Sequence, residues 1–272
     1  MTTPVTELRV TSWNELNERL FEGSWKAELR RFRSSFAFRG QSDWRGDLKT
    51  SVARLGGSLD LEAHLLRNFR KYASQEAAPG DSVWNWLAVA QHHGLPTRLL
   101  DWTYSPYVAM HFATENVADY AVDGVIWCVD YVRTNTLLPQ RLKDILAEEG
   151  SFVFTAEMLE RAAATLTEFD RLSQQTFVAF FEPPSLDERI VVQFALFSLV
   201  SNYKISLDAW LANSPQVFRK IIIPASLKWE VRDKLDQANI TERVLQPGLD
   251  GLSRWLKRYY TPRIEAQRQE RE

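Results

Sequence analysis

Apolar side chains recur along this chain in two rhythms, and the switches between them mark out its elements. Leu8, Trp13, Leu16, Leu20 and Trp25 stand at near-helical spacing, which predicts an amphipathic helical region over residues 5–30. Phe36 and Phe38 alternate with small residues up to Gly40, the pattern of a short strand over 34–40. Leu61, Leu65, Leu66, Phe69 and Tyr72 share one face of a helix over 60–77. Pro79, Gly80 and Asp81 read as a turn; Asp81 or Ser82 then caps a helix over 83–93 that Gly94 and Pro96 end. Residues 97–102 read as extended. Ser105 as N-cap and Pro106 at the first helical position begin a helix that runs to about Val117, burying Val108, Ala109, Phe112 and Ala113.

The second half continues in the same way. A strand is predicted over 124–131, helices over 137–148 and 156–170, and strands over 176–181 and 189–199. The last of these is apolar on both faces, which places it inside a sheet. A helical turn over 208–212, a strand over 217–223 closed by Pro224, and helices over 226–238 and 247–260 complete the series. Strands and helices interleave without a regular βαβ rhythm. The expected architecture is a single α+β domain over 34–260, preceded by a helical segment, 1–33, and followed by a polar tail, 261–272.

With 272 residues, 45% hydrophobic and 25% charged, the chain has the composition of a globular protein rather than a disordered or collagenous one. Lys and Arg number 33 against 35 Asp and Glu, which argues against a uniformly basic nucleic-acid binder but leaves room for a local patch. Lys26, Arg30, Arg31, Arg33, Arg39, Arg45, Lys49 and Arg54 make such a patch, opposed only by Glu28, Asp43 and Asp47. A single cysteine, Cys128, excludes an intrachain disulfide and a multi-cysteine metal site. The longest apolar run, 190–200, is interrupted by Gln193 and Ser198 and falls well short of the roughly twenty residues a membrane span needs. No leader pattern opens the chain, so a cytoplasmic protein without membrane contact is expected. Ten tryptophans serve either the core or ring stacking in a site.

Familiar catalytic templates are absent: there is no Gly-x-Ser-x-Gly elbow, phosphate loop or dinucleotide glycine fingerprint. His64, His92, His93 and His111 include no pair four apart, and no metal site is expected. Two features stand out instead. Arg39 closes a strand beside Gly40, where a guanidinium offers the planar fork that binds phosphate, or else pairs with an internal carboxylate. Between two apolar helices, Gln91, His92, His93, Thr97, Arg98, Asp101, Trp102 and Thr103 crowd together, either to orient an anion or substrate or to form buried polar networks.

Phe38-Arg39-Gly40-Gln41-Ser42, with Arg54 downstream and the long block Gln91-His92-His93-Gly94-Leu95-Pro96-Thr97-Arg98-Leu99-Leu100-Asp101-Trp102-Thr103, resembles the FRG-domain family. Arg189-Ile190 with Gln193 and Phe197, and Leu249-Asp250-Gly251-Leu252, look like its later motifs. That resemblance implies a bacterial toxin of a toxin–antitoxin or phage-defence system, with a cognate antitoxin as partner. A weaker resemblance, to ADP-ribosyltransferases, implies the chemistry and a mixed or antiparallel β core flanked by helices. Phe38-Arg39-Gly40 is similar to their first strand motif. Asp101-Trp102-Thr103, followed by 108–113, is similar to the second, although it departs from Ser-Thr-Ser. Residues 186–192 are similar to the third.

From this resemblance NAD is the substrate and no metal is needed. Arg39 binds its diphosphate, with Gly40, Gln41, His93, Thr97 and Arg98 completing the site. Asp101 or Thr103 orients ribose or acid, Trp102 or Tyr107 stacks on nicotinamide, and Glu188 is the catalytic acid, a role that Gln193 shares or takes. The acceptor is a protein or a nucleic acid, RNA or DNA. A different class also fits the residues: a non-catalytic nucleic-acid-binding or ligand-sensing module built on the basic patch and the tryptophans. In a third reading, Arg98, Asp101 and His93 form buried pairs in a purely structural domain.

Overall fold

The computed structural model describes residues 6–56, 61–73, 80–184 and 188–263. Its centre is a mixed seven-stranded sheet in the order β1-β9-β6-β4-β5-β8-β7, flanked by helices. The strands are β1 (Glu7–Arg9), β4 (Phe36–Gln41), β5 (Leu99–Thr103), β6 (Gly124–Asp130), β7 (Val178–Phe181), β8 (Ala195–Val200) and β9 (Phe218–Ile223), while β2 (Trp25–Lys26) and β3 (Arg31–Phe32) form a separate hairpin. Only β1 and β9 run parallel; every other pair is antiparallel. All seven residues of β6 are buried, as its unbroken apolar run requires of an interior strand.

Pleat alternation divides the core. One face presents Leu100, Trp102, Val125, Trp127, Val129, Phe180 and Leu196 to the Leu207–Ala212 helix. On the other, Phe38, Ile126, Cys128, Ile221 and Ile223 pack beneath Ala109, Ala113, Val231 and Leu235. Farther along that second face, Leu99, Ala179, Phe181, Phe197 and Leu199 pack beneath Trp84, Leu87, Leu142 and Leu159. Helices therefore cover this face in two groups. The seam between the groups lies over β4 and β5.

Local signals place the helices beside that seam. Ser82 Oγ accepts from the backbone of Trp84 at the start of the Val83–His92 helix, and Gly94, at φ +80°, follows its end. Ser105 Oγ caps the Pro106–Thr114 helix through the Val108 N–H. That helix crosses β4 so closely that a Cβ on Gly40 would lie 1.9 Å from the Ala109 carbonyl oxygen. Gly40 thus admits the helix, and its backbone also lines the space beside it.

Three expected elements form differently. Within 5–30 only Trp13–Phe21 is helical, because Ser12 caps its start and Gly23, at φ +78°, follows its end; β1 precedes it as a sheet edge, so the first 33 residues are not simply a helical segment. The predicted helix over 156–170 is two, Ala156–Ala162 and Leu166–Asp170, since Ala163 is extended and Thr165 caps anew. The predicted strand over 189–199 begins as a helix, Glu188–Val192, which turns through Phe194 at φ +51° into β8. Its β-branched run misled because Val191 is exposed and only Ile190 of that helix is buried. Parts of other expectations (60 and 74–77 of one helix, Pro79, Leu186, Asp187, and 264–272 of the tail) lie outside the described residues. No helix among the described residues is long and apolar enough to cross a membrane.

A methyl group at Gly40 has nowhere to go but into helix backbone. Gly40→Ala is expected to destabilise the fold by about 2 kcal/mol or more, read as a lower denaturant midpoint with an unchanged slope. An unaltered midpoint would refute the close helix–strand approach.

Candidate functional site

A cavity of about 500 Å³ opens at the seam, a size that suits a small molecule. Its walls come from Phe38–Gln41 of β4 with Ser42, the Asp101–Thr103 end of β5, Ala195 and Phe197 of β8, Gln91, His92 and Gly94 at one helix end, and Phe112 with Glu115 at the end of the next helix. Arg189, Ile190 and Gln193 close the far side.

The cavity owes its position to a failure of pairing. β4 and β5 share one register pair, Phe38 opposite Thr103. Beyond it the strands part, and Arg39 spans the gap by donating from Nη1 to the Asp101 carbonyl oxygen at 2.6 Å. Its Nε is buried without a hydrogen-bond partner. Burial pulls the guanidinium pKa below its ordinary value, the Asp101 charge opposes that, and the Arg54 charge adds to it. A buried guanidinium with a donor left unpaired is uncommon in a folded protein and marks this arginine as a functional candidate.

Asp101 is fixed from behind. Gln91 Nε2 donates to both of its carboxylate oxygens, at 3.1 and 3.0 Å, and Thr97 Oγ1 donates to Gln91 Oε1 at 2.6 Å. Thr97 itself is buried and outside the cavity wall; it acts through Gln91. Gln41 lines the cavity, while its amide bonds Trp127 Nε1 and the Asp47 carbonyl. Thr103 Oγ1 donates to the Gln193 carbonyl and accepts from Ser105 N–H, and Gln193 Nε2 donates to the Leu245 carbonyl. Those three side chains brace the walls.

Several expected site residues lie elsewhere. Arg98 is buried in ion pairs with Glu62 and Asp170, at 2.6 and 2.5 Å, and so is structural. The indole of Trp102 packs on Phe180 with Nε1 bonded to Ser198 Oγ, because alternation turns it to the face opposite Asp101 and Thr103. Tyr107 bonds Asn17 and stacks on Trp13, joining the first helix to the Pro106–Thr114 helix. Glu188 and His93 border a neighbouring open hollow of about 710 Å³ with Gln246, Pro247, Asp250 and Arg254. Glu188 sits on a helix rather than a strand and does not share the Arg39 cavity. The two hollows meet at His92 and Arg189.

Sequence reading missed Glu115. It lines the cavity one helical turn after His111, whose Nε2 stands 3.4 Å from Glu115 Oε2. That four-residue spacing was the available signal. His111 is fully buried and its Nδ1 lies 2.8 Å from Arg232 Nη1. Burial holds the imidazole below its ordinary pKa; contact with Glu115 opposes this and the Arg232 charge adds to it.

The FRG domain family model matches residues 34–121. This stretch includes Arg39, Gln91, Asp101 and Glu115, but not Arg189 or Gln193. No curated protein and no solved structure matches the chain.

Because His111 binds its proton less readily folded than unfolded, the unfolded chain holds more protons below the ordinary histidine pKa of about 6.5. Stability present above pH 6.5 is therefore expected to fall on acidification, toward the lowered folded pKa, by up to about 1.4 kcal/mol per pH unit from this group. Denaturant titrations of His111→Gln between pH 7 and pH 5 should show a shallower decline than wild type. Equal slopes would contradict a buried neutral imidazole.

Proposed function

With an FRG domain as its frame, we propose that this chain is an NAD-consuming ADP-ribosyltransferase-like effector whose substrate lies in the Arg39 cavity. The observation that carries the reading is the Arg39 guanidinium, half-buried in the cavity wall with a sealed and unpartnered Nε. A diphosphate supplies oxygens that accept from such a fork. Asp101, immobilised by Gln91, takes hydrogen bonds from ribose hydroxyls. Phe112 and Phe197 supply apolar wall for a ring. The adjoining hollow, reached past Arg189, receives the far end of the dinucleotide or the acceptor, and Glu188 belongs to that hollow.

In the reaction, the ribose C1′–N bond breaks and its electron pair leaves with neutral nicotinamide. The ribosyl centre passes through an oxocarbenium-like state that nearby carboxylates stabilise. A hydroxyl or amine of a protein or nucleic acid then bonds C1′ and gives up a proton. In this reading the protein is a cytoplasmic toxin of a toxin–antitoxin or phage-defence system, and a cognate antitoxin restrains it.

A second reading has its own observation. On the β2–β3 hairpin, Trp25, Leu29 and Phe32 are 52%, 57% and 59% exposed. Lys26, Arg30, Arg31 and Arg33 surround them, and no ion pair engages these four among the described residues. Exposed rings between free cations suit a single-stranded nucleic acid, whose bases stack while its phosphates meet the charges. This is the ligand-binding module without catalysis.

Wild-type protein is expected to melt higher with NAD present and to release nicotinamide. Arg39→Ala should lose the melting shift and reduce turnover by about 10²–10³ while still folding. Growth arrest on expression, relieved by the same substitution, would tie the activity to toxicity. Wild type that neither binds nor consumes NAD refutes the proposal. The binding module instead predicts oligonucleotide affinity that falls steeply with salt, weakens in a Trp25→Ala, Phe32→Ala double variant, and survives Arg39→Ala. Salt-independent or absent binding would dismiss it.

A further inference from the structure

We infer that Glu115 is the carboxylate that receives the acceptor's proton in the Arg39 cavity, and that buried His111 and Arg232 hold it in place; this rests on the NAD reading above. Two carboxylates line the cavity, and they are held differently. Both oxygens of Asp101 already accept from Gln91. Among the described residues Glu115 receives no such amide clamp, and its partner is His111. That leaves the Glu115 carboxylate to meet the O–H or N–H of the acceptor.

The tautomer of His111 follows from its neighbours. A guanidinium has donors and no acceptor, so Arg232 Nη1 donates to Nδ1, which must present its lone pair. The proton of the neutral ring therefore sits on Nε2. That atom is buried, has no hydrogen bond of good geometry, and stands 3.4 Å from Glu115 Oε2. Its N–H can reach only toward the carboxylate, steadying one oxygen of a residue that lines the cavity.

Arg232 is fixed in turn. It donates to the Ile240 carbonyl and lies 3.3 Å from Asp236, which also receives both terminal nitrogens of Arg258 at 2.8 and 2.7 Å. Arg258 binds Glu242 as well. The network is buried almost throughout, so the His111 ring cannot turn without losing its bond to an Arg232 that is itself held in place. Arg39 reaches the cavity at the gap between β4 and β5, and Glu115 from the end of the helix laid over Gly40.

The step balances. As C1′ bonds the acceptor oxygen or nitrogen, the proton lost by that atom passes to Glu115 and then to solvent. The electron pair of the broken C1′–N bond has already left with nicotinamide.

The test compares Glu115→Gln, Arg39→Ala, His111→Gln and His111→Leu with wild type, each checked for a cooperative melt. Glu115→Gln is expected to keep the NAD melting shift and a KM near wild type, with kcat for nicotinamide release about 10²–10³ lower. Gln at 111 can accept from Arg232 and donate to Glu115, so His111→Gln should retain most of kcat, whereas His111→Leu should lose kcat with little change in KM. If Glu115→Gln turns over within about threefold of wild type while Arg39→Ala is dead, the assignment to Glu115 is wrong and the NAD reading stands. If the two His111 variants lose kcat equally, the positioning role is wrong. If wild type consumes no NAD, both readings fall together.

Discussion

A helix laid directly on glycine sets the geometry of this molecule. Only Tyr104 and Ser105 separate β5 from the Pro106–Thr114 helix, which crosses at once over β4. Gly40 offers no side chain to resist it, and a Cβ on Gly124 would meet the Ala113 carbonyl oxygen at 2.8 Å. With the helix seated so low, β5 meets β4 at one register pair and then diverges. A sheet carbonyl left unpaired inside a protein must find a donor elsewhere. Arg39 provides it, and the space beside that contact is the cavity.

The arginines show how differently one residue type is used. Arg98 has Glu62 and Asp170, and Arg258 has Glu242 and Asp236. In both cases carboxylates repay the several kcal/mol that removing a guanidinium from water costs. Arg39 instead has a backbone carbonyl, a partial charge, as its hydrogen-bond acceptor. The nearby Asp101 charge offsets its burial only in part. A bound anion would offset more of it.

Elements announced by local chemistry were legible in the sequence. Ser82, Ser105 and Gly94 bound their helices as capping rules require, and the apolar run of β6 could only be an interior strand. The failures share a cause. In 189–192, β-branched residues favour a strand, but contacts made after collapse decide the outcome, and a helix carrying one buried side chain forms there. The site was legible where polar residues crowd locally, as at Gln91 and Asp101. It was not where tertiary packing sorts similar residues, sending Arg98 into an ion-pair cluster and Asp101 to the cavity three positions later. Glu115 escaped notice because a charged residue at a helix end has an ordinary explanation until His111 is seen to be buried behind it.

The cavity's charges bear on what it can hold. Arg39 and Arg189 bring positive charge to its walls, and Asp101 and Glu115 bring negative charge. A simple anion site would exclude the carboxylates, because like charge near a bound phosphate weakens it. A sugar-only site would have no use for a half-buried cation. Both signs together suit a ligand that is itself divided, with an anionic diphosphate, hydroxyl donors and a cationic ring that sheds its charge on leaving. With the proposed ligand in a space partly closed to water, each group would act on the part opposite in charge, and the carboxylates would stabilise a ribosyl centre most when its positive charge is greatest.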